Sequence, residues 1–163
     1  MKKTAVIPGS FDPMTLGHAS LVKRALDVFD KVVVLVCVNF DKEYLFTTDE
    51  RVFLAKETLS DLDNVKVEEY SGWLWEWLED HKPCVVVKGI RDEKDLLYER
   101  GMAEFNFEKS GVETLFFVAD EENGGISSTV VRQRLESGEA LDTLMSQNAQ
   151  KLAQKFYTQK IKK

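Results

Sequence analysis

The chain has 163 residues, 44% of them apolar and 31% charged, with 22 Lys+Arg against 28 Asp+Glu and a formal net charge of −6. This supplies the apolar material for one ordinary domain, argues against disorder, and leaves little room for a second core. The acidic balance excludes a general nucleic-acid or anionic-membrane binder, because both depend on an overall basic surface.

The longest unbroken apolar run, Val32–Val38, is seven residues long and far too short to cross a bilayer. Met1-Lys2-Lys3 leads into a strand-like run that stops at Pro8-Gly9, so no secretory leader is expected. Cys37 and Cys84 form neither a metal or redox spacing nor a disulfide framework. These features predict a soluble cytoplasmic protein that binds no nucleic acid and no membrane. If it handles an anion, a local cluster of cations must do the work.

In chain order, strand-like runs fall at Thr4–Ile7, Lys31–Val38, Val65–Tyr70, Cys84–Val87 and Thr114–Ala119. Most are continuous apolar blocks, as expected of parallel strands covered on both faces. Helical periodicity lies between them. Leu21, Val22, Ala25, Leu26 and Phe29 share one face of the first helix, and Thr47 with Glu50 opens the second as a capping box. A third helix covers roughly Trp73–His81 and a fourth Glu93–Lys109. The chain after Ser127 reads as helix with a break near Gly138. This alternation predicts right-handed crossovers and an α/β fold with a doubly wound, parallel five-stranded sheet. We expect a single domain, 1–163, with the helices of about 139–163 as a C-terminal helical extension.

Ligands of open parallel α/β sheets bind beyond the carboxyl ends of the strands. The first strand is followed by Pro8-Gly9-Ser10-Phe11-Asp12-Pro13-Met14-Thr15-Leu16-Gly17-His18, and the second by Asn39 and Lys42. Lys88-Gly89-Ile90-Arg91 follows the fourth, and Asn123-Gly124-Gly125-Ile126-Ser127-Ser128-Thr129 the fifth. Glycines, hydroxyls, cations and helix N-termini are the groups that hold phosphate. The first loop matches neither the Walker A pattern nor G-x-G-x-x-G, which disfavours kinase, GTPase and dinucleotide readings. His18, at the start of a helix, can donate to an anion there or merely cap the helix; both readings stay open.

Two segments carry a resemblance. Pro8–Pro13 with Thr15-Leu16-Gly17-His18 resembles the T/H-x-G-H signature of the nucleotidyltransferase superfamily, and Ile126-Ser127-Ser128-Thr129-Val130-Val131-Arg132 resembles its I-S-S-T-x-V-R signature. Both are shared with nicotinate or nicotinamide mononucleotide adenylyltransferases and small cytidylyltransferases. The chain length, Lys42 with Phe46-Thr47 and Glu50-Arg51, the Gly89-Ile90-Arg91 turn and Tyr98-Glu99 resemble the bacterial phosphopantetheine adenylyltransferase family. The resemblance runs from about Lys3 to about Leu135.

It implies a Rossmann-like fold and reversible transfer of adenylate from ATP to 4′-phosphopantetheine. The products would be dephospho-CoA and pyrophosphate, formed by direct in-line attack with no covalent intermediate. By resemblance, His18, Lys42 and Arg91 are the catalytic set. Ser10, Phe11, His18, Gly89, Ile90, Arg91, Glu99, Asn123, Gly124, Gly125, Ile126, Ser127, Ser128 and Thr129 would bind ATP. Ser10, Lys42, Leu74 and Lys88 would bind phosphopantetheine. Ser127–Thr129 would face the β- and γ-phosphates. Mg2+ would accompany ATP, with no metal-ligating residue assigned in the chain. The resemblance also implies a homohexamer and feedback binding of coenzyme A. The rivals are another adenylyl- or cytidylyltransferase, separated by its second substrate, and a non-catalytic nucleotide-binding regulator, which has no need of both His18 and Lys42.

The sequence departs from the family pattern at several points. Lys88 stands where many members carry Arg, replacing a bidentate clamp with a point charge. Asp41 and Glu43 flank Lys42 where a more basic loop is expected. Leu74 occupies a position that contacts the pantetheine arm in the family. Leu141–Lys163 follows the pattern poorly, and no role is carried onto it. Trp73, Trp75 and Trp77 are read as packing residues, between subunits or beside the substrate arm. His81 is read as a surface residue and Asp120-Glu121-Glu122 as a solvated loop. The five lysines after Gln150 are read as complementing the negative end of the last helix.

Overall fold

The computed structural model describes residues 3–39, 41–119 and 126–162. Asn123, Gly124 and Gly125, expected to bind ATP, and the acidic run Asp120–Glu122 lie outside the described residues. The elements are β1 (Thr4–Gly9), α1 (Leu16–Leu26), β2 (Lys31–Cys37), α2 (Thr48–Thr58), β3 (Val65–Tyr70), α3 (Leu74–Asp80), β4 (Cys84–Ile90), α4 (Glu93–Ser110), β5 (Thr114–Val118), α5 (Ser128–Ser137) and α6 (Gln147–Ile161).

The five strands form one sheet in the order β3-β2-β1-β4-β5, and every pair is parallel. Successive strand residues enter opposite layers, as the pleat requires. Ala5, Ile7, Val32, Val34 and Val36 pack with Ala19, Val22 and Ala25 of α1 and with Ala55 of α2. Val6, Val33, Leu35 and Val86 pack on the other face with Trp77 and Leu78 of α3. The apolar runs of β1 and β2 are therefore continuous because both faces are covered. A third cluster joins Phe46 and Leu54 to Val131, Leu135, Leu141, Leu144, Met145, Ala149 and Ala153, so α5 and α6 close over α2.

Two strands extend further than the sequence suggests. β1 runs to Gly9 and β4 to Ile90, because their outer partners continue the ladders to Gly9↔Val36 and Ile90↔Val118. Lys88, Gly89 and Ile90 thus lie within β4 rather than in a following loop. Between themselves, β1 and β4 pair only from Thr4↔Cys84 to Val6↔Val86. Beyond that point the strands splay, and the crevice opens at the switch point of the strand order. β5 also differs from a strand covered on both faces. It is an edge strand whose Leu115, Phe116 and Val118 are exposed, Val118 to 77%.

Helix ends follow local chemistry. Thr47 and Glu50 form the expected capping box, and Gly138 ends α5 at φ 73°, a left-handed position that glycine adopts without a Cβ penalty. Trp77 is buried, as expected of packing, and His81 is exposed and stacked on it at 3.8 Å. Trp73 differs. It is the exposed N-cap of α3, its ring against Phe105 at 6.1 Å.

Candidate active site

Gly9 ends β1 where a close approach is needed: a Cβ there would sit 3.0 Å from the Phe11 ring. Phe11 adopts φ 48°, the left-handed region that a bulky residue enters only under constraint. Its buried ring meets His18 edge-on at 5.1 Å. Thr15 caps α1. Its hydroxyl accepts from the His18 N–H, and its own N–H donates to His18 Nδ1 at 3.0 Å.

That capping bond settles the tautomer, because an Nδ1 that accepts leaves the neutral ring with its proton on Nε2. Burial, then the charges of Arg91 and Lys88, lower the His18 pKa to about 4. His18 is therefore both helix cap and neutral Nε2–H donor, which unites the two readings left open by its sequence position.

The first cavity, about 430 Å³, lies in the β1/β4 crevice. Ser10, Phe11, His18, Gly89, Arg91, Glu99, Ile126, Ser127, Ser128 and Thr129 line it, bringing together most of the residues expected to bind ATP. Ile90 is not in the wall. The hydroxyls opening α5 already have partners: Ser127 accepts from the Val130 N–H, Ser128 donates to the Pro13 carbonyl at 2.8 Å, and Thr129 accepts from Arg132. What α5 offers an anion is its N-terminal backbone N–H groups with the Ser127 and Thr129 hydroxyls, whose oxygens only accept in these bonds, while the Ser128 hydrogen is committed to Pro13.

A second cavity of about 620 Å³ adjoins the first, sharing Pro8, Gly9, Ser10, Lys88 and Glu99. All four residues expected to bind phosphopantetheine, Ser10, Lys42, Leu74 and Lys88, line it. Of the rest of its wall, sequence reasoning gave no role to Tyr44, Tyr98, Met102 or Asn106, and placed Trp73 between subunits or beside the substrate arm. Tyr98, Met102 and Asn106 line it from one face of α4, and Trp73 and Tyr44 from the loops. The i, i+4, i+8 spacing of the α4 residues was the available signal.

Two of the cations at the site, Lys88 and Arg91, do not stand bare. Lys88 Nζ lies 3.1 Å from Glu99 and 3.3 Å from the Pro8 carbonyl. Arg91 pairs with Asp95 through two nitrogens at 2.8 and 3.3 Å. The Asp95 hydrogen bond raises the Arg91 pKa, and the reciprocal bond holds Asp95 below the usual carboxylate range. Lys42 is exposed at the second cavity.

Asp12, buried and also missed, accepts the N–H groups of Leu45 and Phe46, each at 2.9 Å. Arg132 donates to the Asp12 carbonyl at 2.7 Å and lies 3.8 Å from its carboxylate. One aspartate thus ties the first loop to the Lys42 loop and to α5. Lys160 of α6 pairs with Glu50 at 2.7 Å and donates to the Leu45 carbonyl, so this lysine braces the same loop instead of only complementing its helix end.

Such a crevice, with a T-x-G-H cap on one wall and a helix N-terminus on the other, is suited to holding polyphosphate. A family model described as cytidylyltransferase-like matches residues 6–134. Phosphopantetheine adenylyltransferases are among the relatives. That of Clostridium beijerinckii is 43% identical over 80% of this chain and 83% of its own. That of Corynebacterium glutamicum is 39% identical over 94% and 97%, and that of Christiangramia forsetii 36% over 83% and 90%. A crystal structure from Vibrio parahaemolyticus, assigned as a nicotinate-nucleotide adenylyltransferase, superposes with a TM-score of 0.68 at 23% identity. It covers 93% of this chain and 98% of that one, and bears on the fold alone. The chain belongs to the cytidylyltransferase-like nucleotidyltransferases and, within them, to the phosphopantetheine adenylyltransferase family.

Proposed function

We propose that the chain transfers adenylate from ATP to 4′-phosphopantetheine, giving dephospho-coenzyme A and pyrophosphate. The observation that carries this reading is the junction of two cavities at Ser10 and Lys88. One is lined by His18, Arg91 and the start of α5, which suits a nucleotide triphosphate. The other is walled by Trp73, Leu74 and Met102 with Lys42 at its rim, which suits an apolar arm ending in a phosphate.

An acceptor phosphate oxygen attacks the α-phosphorus in line, the bond to the β-phosphate bridging oxygen breaks, and pyrophosphate leaves. The nucleophile is already an anion, so no general base is needed. The work is positioning and charge stabilisation. His18 donates Nε2–H to an α-phosphate oxygen. Lys42 and Lys88 hold the acceptor phosphate, and Arg91 with the α5 N-terminus holds the leaving phosphates. Glu99 accepts from the ribose.

Magnesium enters as part of the substrate, held by the phosphates of ATP. Asp95 and Glu99 are already paired with cations, and among the described residues no group of three His, Cys, Asp or Glu is placed to hold a metal. The exposed apolar groups on α4 and β5, among them Leu97, Tyr98, Phe116 and Val118, support a homo-oligomer, for which the resemblance implies a hexamer. Coenzyme A carries the same phosphopantetheine arm and fits the second cavity as a feedback ligand. A cytoplasmic location belongs to the same proposal; among the described residues no helix is long and apolar enough to cross a membrane.

The test is pyrophosphate release from MgATP with 4′-phosphopantetheine or nicotinamide mononucleotide as acceptor. Release with the first alone is expected. Release with the second alone makes the chain a mononucleotide adenylyltransferase, and release with neither leaves a nucleotide-binding regulator.

A further inference from the structure

Arg51, in the first turns of α2, is the largest fully buried side chain among the described residues, only 1% exposed. A buried guanidinium is ordinarily paired with a carboxylate, because an unpaired charge in the interior is strongly disfavoured. Among the described residues no carboxylate lies within 4 Å of Arg51. The adjacent Glu50 is taken by Lys160 and by the Thr47 cap. The Arg51 Nε is buried and, among the described residues, has no acceptor.

Its partners are neutral and lie at the site. One terminal nitrogen donates to the Ser10 carbonyl at 2.6 Å and to the Cys37 carbonyl at 3.0 Å; the other donates to the Thr48 hydroxyl at 3.2 Å. The guanidinium also stacks on Tyr44, 4.0 Å from the ring centroid. The Tyr44 hydroxyl in turn accepts from the Asn39 N–H at 2.9 Å. Arg51 therefore joins the carboxyl ends of β1 and β2, the two places from which Ser10 and Lys42 project.

The Ser10 bond has a directional consequence. The Ser10–Phe11 peptide is trans, so its N–H points opposite to its carbonyl. With the carbonyl held inward by Arg51, the Phe11 N–H faces the other way. Among the described residues it has no acceptor, and Phe11 lines the nucleotide cavity. The left-handed φ of Phe11 is the backbone strain that this orientation entails.

We propose that Arg51 is a positioning residue for the transfer: a buried cation without a carboxylate that turns the Phe11 N–H toward the reacting phosphate and fixes the Asn39–Tyr44 turn that carries Lys42. A leucine or methionine would fill the same space without burying a charge. The guanidinium adds two things they lack, a hold on two carbonyls and a permanent positive field beneath the phosphates, undiminished by a counter-ion. The inference rests on the adenylyl-transfer reading, and the experiment separates the two.

Full-length wild type, R51M, R51Q and R51K are compared by steady-state pyrophosphate release with MgATP and 4′-phosphopantetheine, alongside thermal unfolding. R51M is expected to lose about tenfold to a hundredfold in kcat, the cost of a displaced transition-state donor, with the KM for ATP shifted less than about threefold. R51K, which keeps the charge, recovers most of that loss. R51Q, the neutral variant that keeps a hydrogen bond and serves where R51M does not fold, recovers less than R51K. Wild-type turnover in R51M or R51Q overturns the proposal. So does an R51K no better than R51M with kcat falling and both KM values rising in step with the loss of Tm, which makes Arg51 a strut of the fold. Wild type that releases no pyrophosphate sinks the adenylyl-transfer reading instead.

Discussion

Lys88 and Glu99 form an ion pair at 3.1 Å on the wall shared by the two cavities. The cation assigned to the acceptor phosphate is thus neutralised by the carboxylate assigned to the ribose. Glu99→Gln removes the competitor, so the KM for 4′-phosphopantetheine should fall by about threefold, the scale of one partly exposed ion pair, while the KM for ATP rises. Opposite movements of the two KM values in steady-state kinetics are the check; an acceptor KM that rises contradicts the pairing. Lys88→Arg should keep activity and tighten the acceptor, because a guanidinium can serve the Pro8 carbonyl and a phosphate together.

His18 is neutral at pH 7, its pKa lowered to about 4 by burial and by Arg91 and Lys88. Its protonation contributes no inflection to turnover between pH 6 and 8, and an NMR titration should show an Nε2–H tautomer with a midpoint near 4. The unfolded chain takes up this proton at higher pH than the folded chain does. Stability from His18 is therefore fully present above the ordinary value of about 6.5 and lost as pH falls toward 4, by on the order of 3 kcal/mol. His18→Ala should flatten that part of the pH–stability curve. It should also lower kcat by about a hundredfold, with ATP affinity changed much less.

The strands and the cap of α2 were legible because their signals are local. Continuous apolar runs mark β1 and β2 as doubly covered, and Thr47-x-x-Glu50 reads the same in sequence and structure. The clustering of the motif residues was also legible, since a parallel sheet gathers strand ends at one edge. What stayed hidden depends on partners distant in sequence. Glu99 gives no sign that it pairs with Lys88, nor Asp12 that it holds Leu45 and Phe46. Trp73 was read as packing between subunits or beside the substrate arm, and only the structure sets it at the exposed N-cap position of α3 on the wall of the second cavity. Arg51 entered only as part of the Glu50-Arg51 match, and its burial follows from its position over the ends of two strands.

Asp12 carries a heavy structural burden for one side chain. Asp12→Ala leaves the buried N–H of Phe46 and the half-buried N–H of Leu45 without an acceptor and Arg132 without its carboxylate. A loss of about 3 kcal/mol is expected, measured by urea unfolding. Asp12→Asn is expected to lose nearly as much, because its amide can offer one oxygen to donors that now use two. A variant as stable as wild type would show that the loop is held elsewhere.

Lys160 links the last helix to the Lys42 loop through Glu50 and the Leu45 carbonyl. Burial alone raises the Glu50 pKa, but hydrogen bonds from Lys160 and Thr47 outweigh it and leave it lowered. Lys160→Met should lower Tm by about 2–4 °C, corresponding to about 1 kcal/mol in a chain of this size. The KM for 4′-phosphopantetheine should rise with kcat nearly unchanged, because the substitution loosens the loop that carries Lys42 without touching the α-phosphate contacts. A stability loss with unchanged acceptor KM would confine Lys160 to the fold.

Asp95 and Glu99 stand one turn apart on α4, facing Arg91 and Lys88. Lys88 and Arg91 are therefore balanced within the crevice, and a ligand binds by exchange, its phosphates replacing the carboxylates at these two cations. A lone inorganic anion gains one such contact and must break an ion pair to make it. A nucleotide brings several phosphates and ribose hydroxyls that give the displaced carboxylates new partners. The arrangement favours ligands by how many sites they engage at once. It also releases fewer bulk ions than two bare cations would, so binding should depend on salt less steeply than the count of positive groups suggests.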